Sequence, residues 1–276
     1  MPRTEGPGFG RVRRVLSRRG LGTVCEEARC PNRAECWGCG TATFLVLGRQ
    51  CTRSCGFCSV EPGRAGQPVE PDEPERVADA VAELGLRHAV ITSVSRDDLH
   101  DGGAGHYARV IAAIRARCPD VGVEVLIPDY LSTDLRTVVE AAPAVLAHNL
   151  EVVRELTPVV RDRRCSYDRS LAVLAGAREM RPDSQLSIKS SLLLGLGETD
   201  SQVDTALDDM WSSGVDSVCL GQYLQPTRAH VPVHRYVPPE RFSELAEVAR
   251  NKGFTRVASA PLVRTSYHAA EVFAGK

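Results

Sequence analysis

The sequence predicts an α/β fold: a partial barrel of the (β/α)6 type, with an N-terminal cluster-binding extension and a C-terminal closing segment. Three observations predict it. Short apolar runs alternate with amphipathic stretches along the middle and end of the chain, the pattern of a parallel sheet with helices outside. About six such units occur, short of the eight that close a full barrel. Two cysteine triplets stand near the N-terminus, one of them ahead of the first apolar run. The organisation this implies is an arm over residues 1–40, a barrel over 41–261 and a closing segment over 262–276.

The elements follow in order. Strand-like runs cover 41–48, 88–94, 123–128, 144–150, 186–195, 216–223 and 256–261. Helical stretches lie between them at 73–85, 107–118, 133–142, 168–180, 201–214 and 239–253. In the first of these, Val77, Val81 and Leu84 share one face. Pro239 suits a first helical turn, and Gly214 and Gly253 suit helix stops. Residues 61–74 form a Pro/Gly-rich loop. Such βαβ units are right-handed, and their parallel strands share a C-terminal end, where barrel enzymes carry their sites. Those ends are polar here: SRDDLHDGGAGH after 88–94, His148, Asn149 and Glu151 after 144–150, and GQYLQPTRAHVPV from the end of 216–223.

Composition narrows the function. The chain has 276 residues, 43% of them hydrophobic, enough for one large domain or two small ones. A net charge of −1 offers no basic surface for nucleic acid, and no run is long enough to span a membrane. The first twenty residues carry six arginines and one acid. A mitochondrial transit peptide should be richer in serine, so a surface arm on a cytoplasmic protein is expected. Only Lys189, Lys252 and Lys276 are lysines, against 31 arginines. Lys189 sits inside an apolar strand and calls for an anion or a site.

The triplets carry the chemistry. The first is Cys25-x4-Cys30-x5-Cys36; the second is Cys51-x3-Cys55-x2-Cys58. Disulfides fit small secreted chains, and structural zinc prefers paired C-x2-C units with four ligands; only Cys36/Cys39 and Cys55/Cys58 have that spacing. Each triplet offers three thiolates, one short of the four that close an iron–sulfur cube. A three-thiolate cube leaves one iron open. Cys118, Cys165 and Cys219 read as plain thiols.

The second triplet, with Phe57 before its last cysteine, resembles the cluster motif of the radical S-adenosylmethionine superfamily. Further segments are similar to the lipoyl synthase family: GTVCEEARCPNRAECW, TATFLVLG with CTRSCGFC, TSVSRDDLHDGGAGH, HNLEVV, LLLGLGET, LGQYLQPTRAHVPV and PLVRTSYHA. They span about residues 22–270. The resemblance implies insertion of sulfur at C6 and C8 of a protein-bound octanoyl-lysine chain, a step of lipoate biosynthesis. It implies two 4Fe–4S clusters and S-adenosyl-L-methionine. Cys51, Cys55 and Cys58 match the radical-generating cluster, whose open iron chelates S-adenosylmethionine. Cys25, Cys30 and Cys36 match an auxiliary cluster consumed as the sulfur donor. Its fourth ligand in the family is a serine of an Arg-Ser-Ser-Tyr motif; here the stretch reads Arg264-Thr265-Ser266-Tyr267, and the ligand is placed on Ser266.

Contacts to S-adenosylmethionine are expected from Arg96, Asp97, Asp98, Asn149, Glu151 and Lys189, all at or near strand ends except Lys189. Surface pairing, capping or a buried ion pair are the structural alternatives for these. The expected partners are an octanoylated carrier domain, of the glycine-cleavage H protein or 2-oxoacid dehydrogenase E2 type, and a ferredoxin or flavodoxin donor. The arginine-rich arm is expected to meet an acidic carrier face. Cys39 stands where the family usually has glycine, and competes for iron or is a bystander. A biotin-synthase-like enzyme acting on a free substrate, or a non-catalytic iron–sulfur carrier, are the competing functions.

Overall fold

A computed structural model describes residues 8–39, 41–182, 186–267 and 269. The ends of the expected arm and closing segment, and Lys276, lie outside the described residues.

The arm opens with α1 (Phe9–Arg18), then β1 (Gly22–Thr23), α2 (Val24–Glu27) and α3 (Arg33–Gly38). The barrel follows: β2 (Thr43–Val46), α4 (Glu73–Leu84), β3 (His88–Ser93), α5 (Ala104–Arg117), β4 (Gly122–Leu126) and α6 (Ser132–Glu140). Next are β5 (Val145–Ala147), a 3-10 turn (Arg154–Leu156), α7 (Thr157–Val160), α8 (Tyr167–Met180) and β6 (Ser187–Leu194). The chain closes with α9 (Asp200–Ser212), β7 (Ser217–Gln222), α10 (Pro239–Lys252) and β8 (Arg256–Ser259).

The strands form one sheet in the order β1 to β8. Every pair from β2 to β8 is parallel; β1 alone is antiparallel, with Gly22 opposite Leu45. The expected partial barrel with six helix-linked units is what forms. The antiparallel β1 is not expected, because two residues carry no periodicity to detect.

Local chemistry sets the boundaries. Thr199 and Gln202 cap α9 reciprocally. Pro239 begins α10 and Gly253, with φ 111°, ends it. Lys252 in its last turn pairs with Asp204 (2.9 Å) and Asp208 (2.6 Å) of α9. The apolar stripes of the helices, such as Val77, Val81 and Leu84 on α4, bury against the sheet.

The arm is fastened to the barrel's flank. Phe9 meets Trp37 with ring centroids 5.0 Å apart. Arg19 pairs with Asp79 and Glu83 of α4, both at 3.0 Å, and Arg18 with Glu83. Arg11 donates to the Glu83 carbonyl. Three of the arm's arginines are therefore spent on α4.

A buried ion pair plugs the barrel floor. Lys189 Nζ donates to Glu124 Oε1 at 2.9 Å, and His88 Nε2 meets Glu124 Oε2 at 3.2 Å. Burial pushes the Glu124 carboxyl up, but Lys189 and His88 pull it net below the usual range.

Candidate functional site

The second triplet occupies the loop after β2, and polar bonds brace that loop from three sides. Cys51 N–H donates to the Glu61 carbonyl (2.9 Å), and Cys51 bridges Pro62. Thr52 N–H donates to the Ser95 carbonyl (3.0 Å), and its hydroxyl donates to Asp97 (2.6 Å). Arg53 bridges Asp97 (2.9 Å) and the buried Asp129, and also donates to Cys165 Sγ (3.3 Å). Ser54 N–H donates to Asp162 (2.9 Å), itself paired with Arg164 (2.8 Å). From above, Val231 N–H donates to the Gly56 carbonyl (2.9 Å) and His230 Nε2 meets the Cys58 carbonyl (3.0 Å).

Two of the thiols accept backbone bonds: Arg53 N–H to Cys51 Sγ at 3.4 Å, and Asp162 N–H to Cys55 Sγ at 3.3 Å. Such donors stabilise thiolate once a metal has displaced the proton. Without one, burial pushes Cys58 up to about 11, and a shared bond with Cys165 holds Cys55 up.

The first triplet is dispersed: Cys25 on α2, Cys30 in the next turn, Cys36 on α3. The C-terminal segment brings them a lid. Asn32 Nδ2 donates to the Leu262 carbonyl (2.6 Å), and Tyr267 Oη to Glu35 (3.0 Å), bolting residues 262–267 onto α3. Thr265 bonds Asn149 Oδ1 (3.0 Å) and Ser191 Oγ (3.1 Å), bolting the same segment to the barrel. Gly221 permits this passage, since a Cβ there would stand 2.1 Å from the Val263 carbonyl oxygen. With Thr265 so committed, Ser266 faces a cavity of about 120 Å3 together with Cys25, Cys30 and Cys36.

The lining of that cavity fits a soft, multi-iron group. Burial pushes Cys36 up to about 12 and Cys25 upward, while the Trp37 side chain acts on Cys25 in the opposite sense. Arg264 stands near Cys30, where burial pulls its guanidinium below its ordinary value and the sulfur favours its charge. Asn32 is 1% exposed and its Oδ1 has no hydrogen-bond partner among the described residues. Among the described residues, no three His, Cys, Asp or Glu stand close enough to clasp a single ion. Thiolates around one zinc must lie within about 4 Å of each other. What favours a cluster over mononuclear zinc is the donor set, three cysteines and a serine around one cavity.

A second cavity, about 390 Å3, joins the two regions. Cys25 and Cys30 line one side and Cys58 with Phe57 the other, with Asn149, Glu151, Thr265 and Ser266 also on its wall. Glu151 holds φ 70°, a left-handed backbone that costs about 1–3 kcal/mol. Asn149 Nδ2 donates to its carboxyl (3.1 Å), which burial pushes above its ordinary value.

Four of the residues expected to contact the cofactor hold protein partners and line neither cavity. Lys189 is spent on Glu124 at the floor and lines neither cavity. Arg96 holds Asp98 (2.9 Å) and the Leu47 carbonyl (2.8 Å). Asp97 holds Thr52 and Arg53. Arg96, Asp97 and Asp98 line neither cavity, and each has an ion-pair partner. The Gly195–Gly197 turn is likewise filled from within, its three N–H groups donating to Glu198. Sequence reasoning missed Arg53, Asp129 and Asp162, whose partners are distant in the chain. The Arg53–Asp129 bond spans 76 positions, and no local pattern signals it.

Residues 45–210 match the model of the radical SAM superfamily. The lipoyl synthase of Pyrobaculum arsenaticum is 54% identical over 96% of this chain and 90% of its own length. Those of Halorhodospira halophila (52%, covering 98% and 81%) and Thermus thermophilus (50%, covering 99% and 84%) are comparably similar. Among solved structures, the [FeFe]-hydrogenase maturase HydG of Carboxydothermus hydrogenoformans aligns with TM-score 0.63 at 17% identity, over 84% of this chain and 55% of that one. Methylornithine synthase PylB aligns with TM-score 0.57 at 15% identity, over 90% and 74%. These low-identity structures bear on the fold alone. The superfamily implies a 4Fe–4S cluster and S-adenosylmethionine; the relatives imply a protein-bound octanoyl substrate and a reductant. No helix among the described residues is long and apolar enough to cross a membrane. The chain belongs to the lipoyl synthase family of radical S-adenosylmethionine enzymes.

Proposed function

We propose that the two cysteine triplets hold two 4Fe–4S clusters facing one chamber, and that the octanoyl chain extends between them. Cys51, Cys55 and Cys58 hold the radical-generating cluster; Cys25, Cys30, Cys36 and Ser266 hold the auxiliary one. When bound, the first cluster with S-adenosylmethionine supplies hydrogen abstraction and the second supplies sulfur. The observation that carries this reading is the shared cavity, whose wall includes members of both triplets and Ser266.

The chain's own residues supply placement. The Arg53–Asp97–Asp129 bridge fixes the cluster loop against β3 and β4. Asn149 and Glu151 present an amide and a carboxyl to the chamber, suited to the polar end of S-adenosylmethionine. Leu126, Leu192, Leu193 and Tyr223 give the chamber an apolar lining that suits an alkyl chain and excludes water. An alkoxide is a weaker partner for iron than thiolate, so Ser266 suits a corner that must open. The exposed Arg29, Pro31 and Gln225 mark the rim where a carrier's lysine arm would enter. The carrier is an H-protein or E2-type domain, and a ferredoxin or flavodoxin is the donor.

The test is an anaerobic, cluster-loaded sample given S-adenosylmethionine, dithionite and an octanoyl-lysine carrier peptide, read by mass spectrometry. A product gaining two sulfurs with 5′-deoxyadenosine is expected. Deoxyadenosine without sulfur transfer would overturn the assignment of the auxiliary site.

A further inference from the structure

The auxiliary cavity has more sulfur than a triplet. Cys39 lines it alongside Cys25, Cys30 and Cys36, so four thiols face one space. Cys39 is exposed, whereas Cys25 is buried and the other two are half-buried. It also lines an outer groove with Arg11, Thr41 and His88. It thus stands where the cavity meets the surface, and unlike Cys25, Cys30 and Ser266 it does not line the chamber.

Cys36 and Cys39 are three apart on one short helix and its cap, where Cys39 N–H donates to the Glu35 carbonyl at 2.9 Å. Residues three apart project to the same side of a helix. Both residues line the same cavity. A second feature points to a ligand at this spot. Asn32, nine-tenths buried and on the same wall, keeps its side-chain oxygen without a protein partner among the described residues.

We propose that Cys39 is a further thiolate ligand for the auxiliary cluster, exchanging with Cys36. This rests on the reading that the first triplet holds that cluster. In the exchange an iron–sulfur bond to Cys36 breaks, one to Cys39 forms, and the Cys39 proton passes to Cys36. No electron moves. A thiolate would hold that position in either state, so the cluster would keep a sulfur ligand when one of the two lets go.

The whole chain is loaded anaerobically with ferrous iron and sulfide, and iron per chain is counted with Mössbauer spectra. Cys25→Ala and Cys30→Ala should halve the iron. Cys36→Ala should keep nearly all of it, because Cys39 takes its place, and Cys36→Ala/Cys39→Ala should again halve it. If Cys36→Ala halves the iron as Cys25→Ala does, the proposal is wrong while the cluster assignment stands. If Cys25→Ala and Cys30→Ala keep full iron, the cluster assignment itself fails. A second measurement avoids any misfolded variant. Cys39→Ala, at an exposed position, should lose auxiliary iron to a chelator about tenfold faster than the parent. An unchanged rate would also overturn the proposal.

Discussion

The two cysteine triplets are built by opposite means. The second lies within eight consecutive residues on one loop, and that loop is braced by Arg53, Asp97, Asp129 and Asp162. The first is spread over α2, α3 and the turn between them, and its cavity is closed by residues some 230 positions later in the chain. One site is held by ion pairs to a single loop. The other exists only while a strap from the far end of the chain stays seated. A site that binds a cofactor repeatedly gains from the first design; a site that is taken apart and refilled gains from the second.

Breaking the braces should have the largest effect. Arg53 and Asp129 are 9% and 1% exposed at their side chains, so Arg53→Ala takes the nearest cation from a buried carboxylate and leaves it only Arg161 at 3.7 Å and His148 at 3.3 Å. Burial raises the Asp129 carboxyl, but His148 and Arg53 hold it well below the usual range. A loss of about 3–5 kcal/mol is expected in denaturant melts, together with loss of cleavage of S-adenosylmethionine. Unchanged stability would show that the loop is held by something else.

The buried Glu124–Lys189 pair inside the barrel belongs to neither site. Glu124→Gln should cost about 3 kcal/mol by stranding Lys189. Because the folded Glu124 carboxyl titrates below its unfolded value, its contribution is present above about pH 4.3 and lost as pH falls through the folded value. The variant should therefore show a flatter decline of stability with acid than the parent. A parallel decline would assign that slope to other carboxylates.

The strap is the weaker point and should separate the two sites. Gly221→Ala forces the Val263 carbonyl to move and should cost about 1–3 kcal/mol. Auxiliary iron should fall while reductive cleavage of S-adenosylmethionine persists. Loss of both activities together would mean that the sites are not independent.

What the sequence reveals follows from range. The barrel units are legible because each rests on periodicity within a dozen residues, as on α4 or β6. The cysteine triplets are legible because ligand spacing is local. The fates of Asp97 and Lys189 are not, since each depends on which distant group reaches it, whereas Arg96 takes its near neighbour Asp98. Lys189 meets Glu124 across 65 positions, and Asp97 meets Arg53 across 44. A charged residue at a strand end announces a need for a partner, not the partner's identity. Asn149 and Glu151, by contrast, do reach the chamber, because β5 ends at Ala147 and the chain turns through the strained Glu151.

The smallest expected effect is the most diagnostic of the strap. Thr265→Ser gives the motif two serines and keeps the hydroxyl that bonds Asn149 and Ser191. It removes one methyl from a residue 8% exposed, a loss of about 0.8 kcal/mol or less. If Thr265 is the anchor and Ser266 the ligand, iron content and the Mössbauer signature of the auxiliary cluster should be unchanged. Thr265→Val should differ, stranding the Asn149 and Ser191 groups at about 1–3 kcal/mol and loosening the strap. An altered spectrum in Thr265→Ser, with Ser266→Ala silent, would reverse the roles of the two positions. The hydrogen bonds from Thr265 would then be the resting contacts of a side chain that must let go to bind iron, and the weaker site would be weaker still.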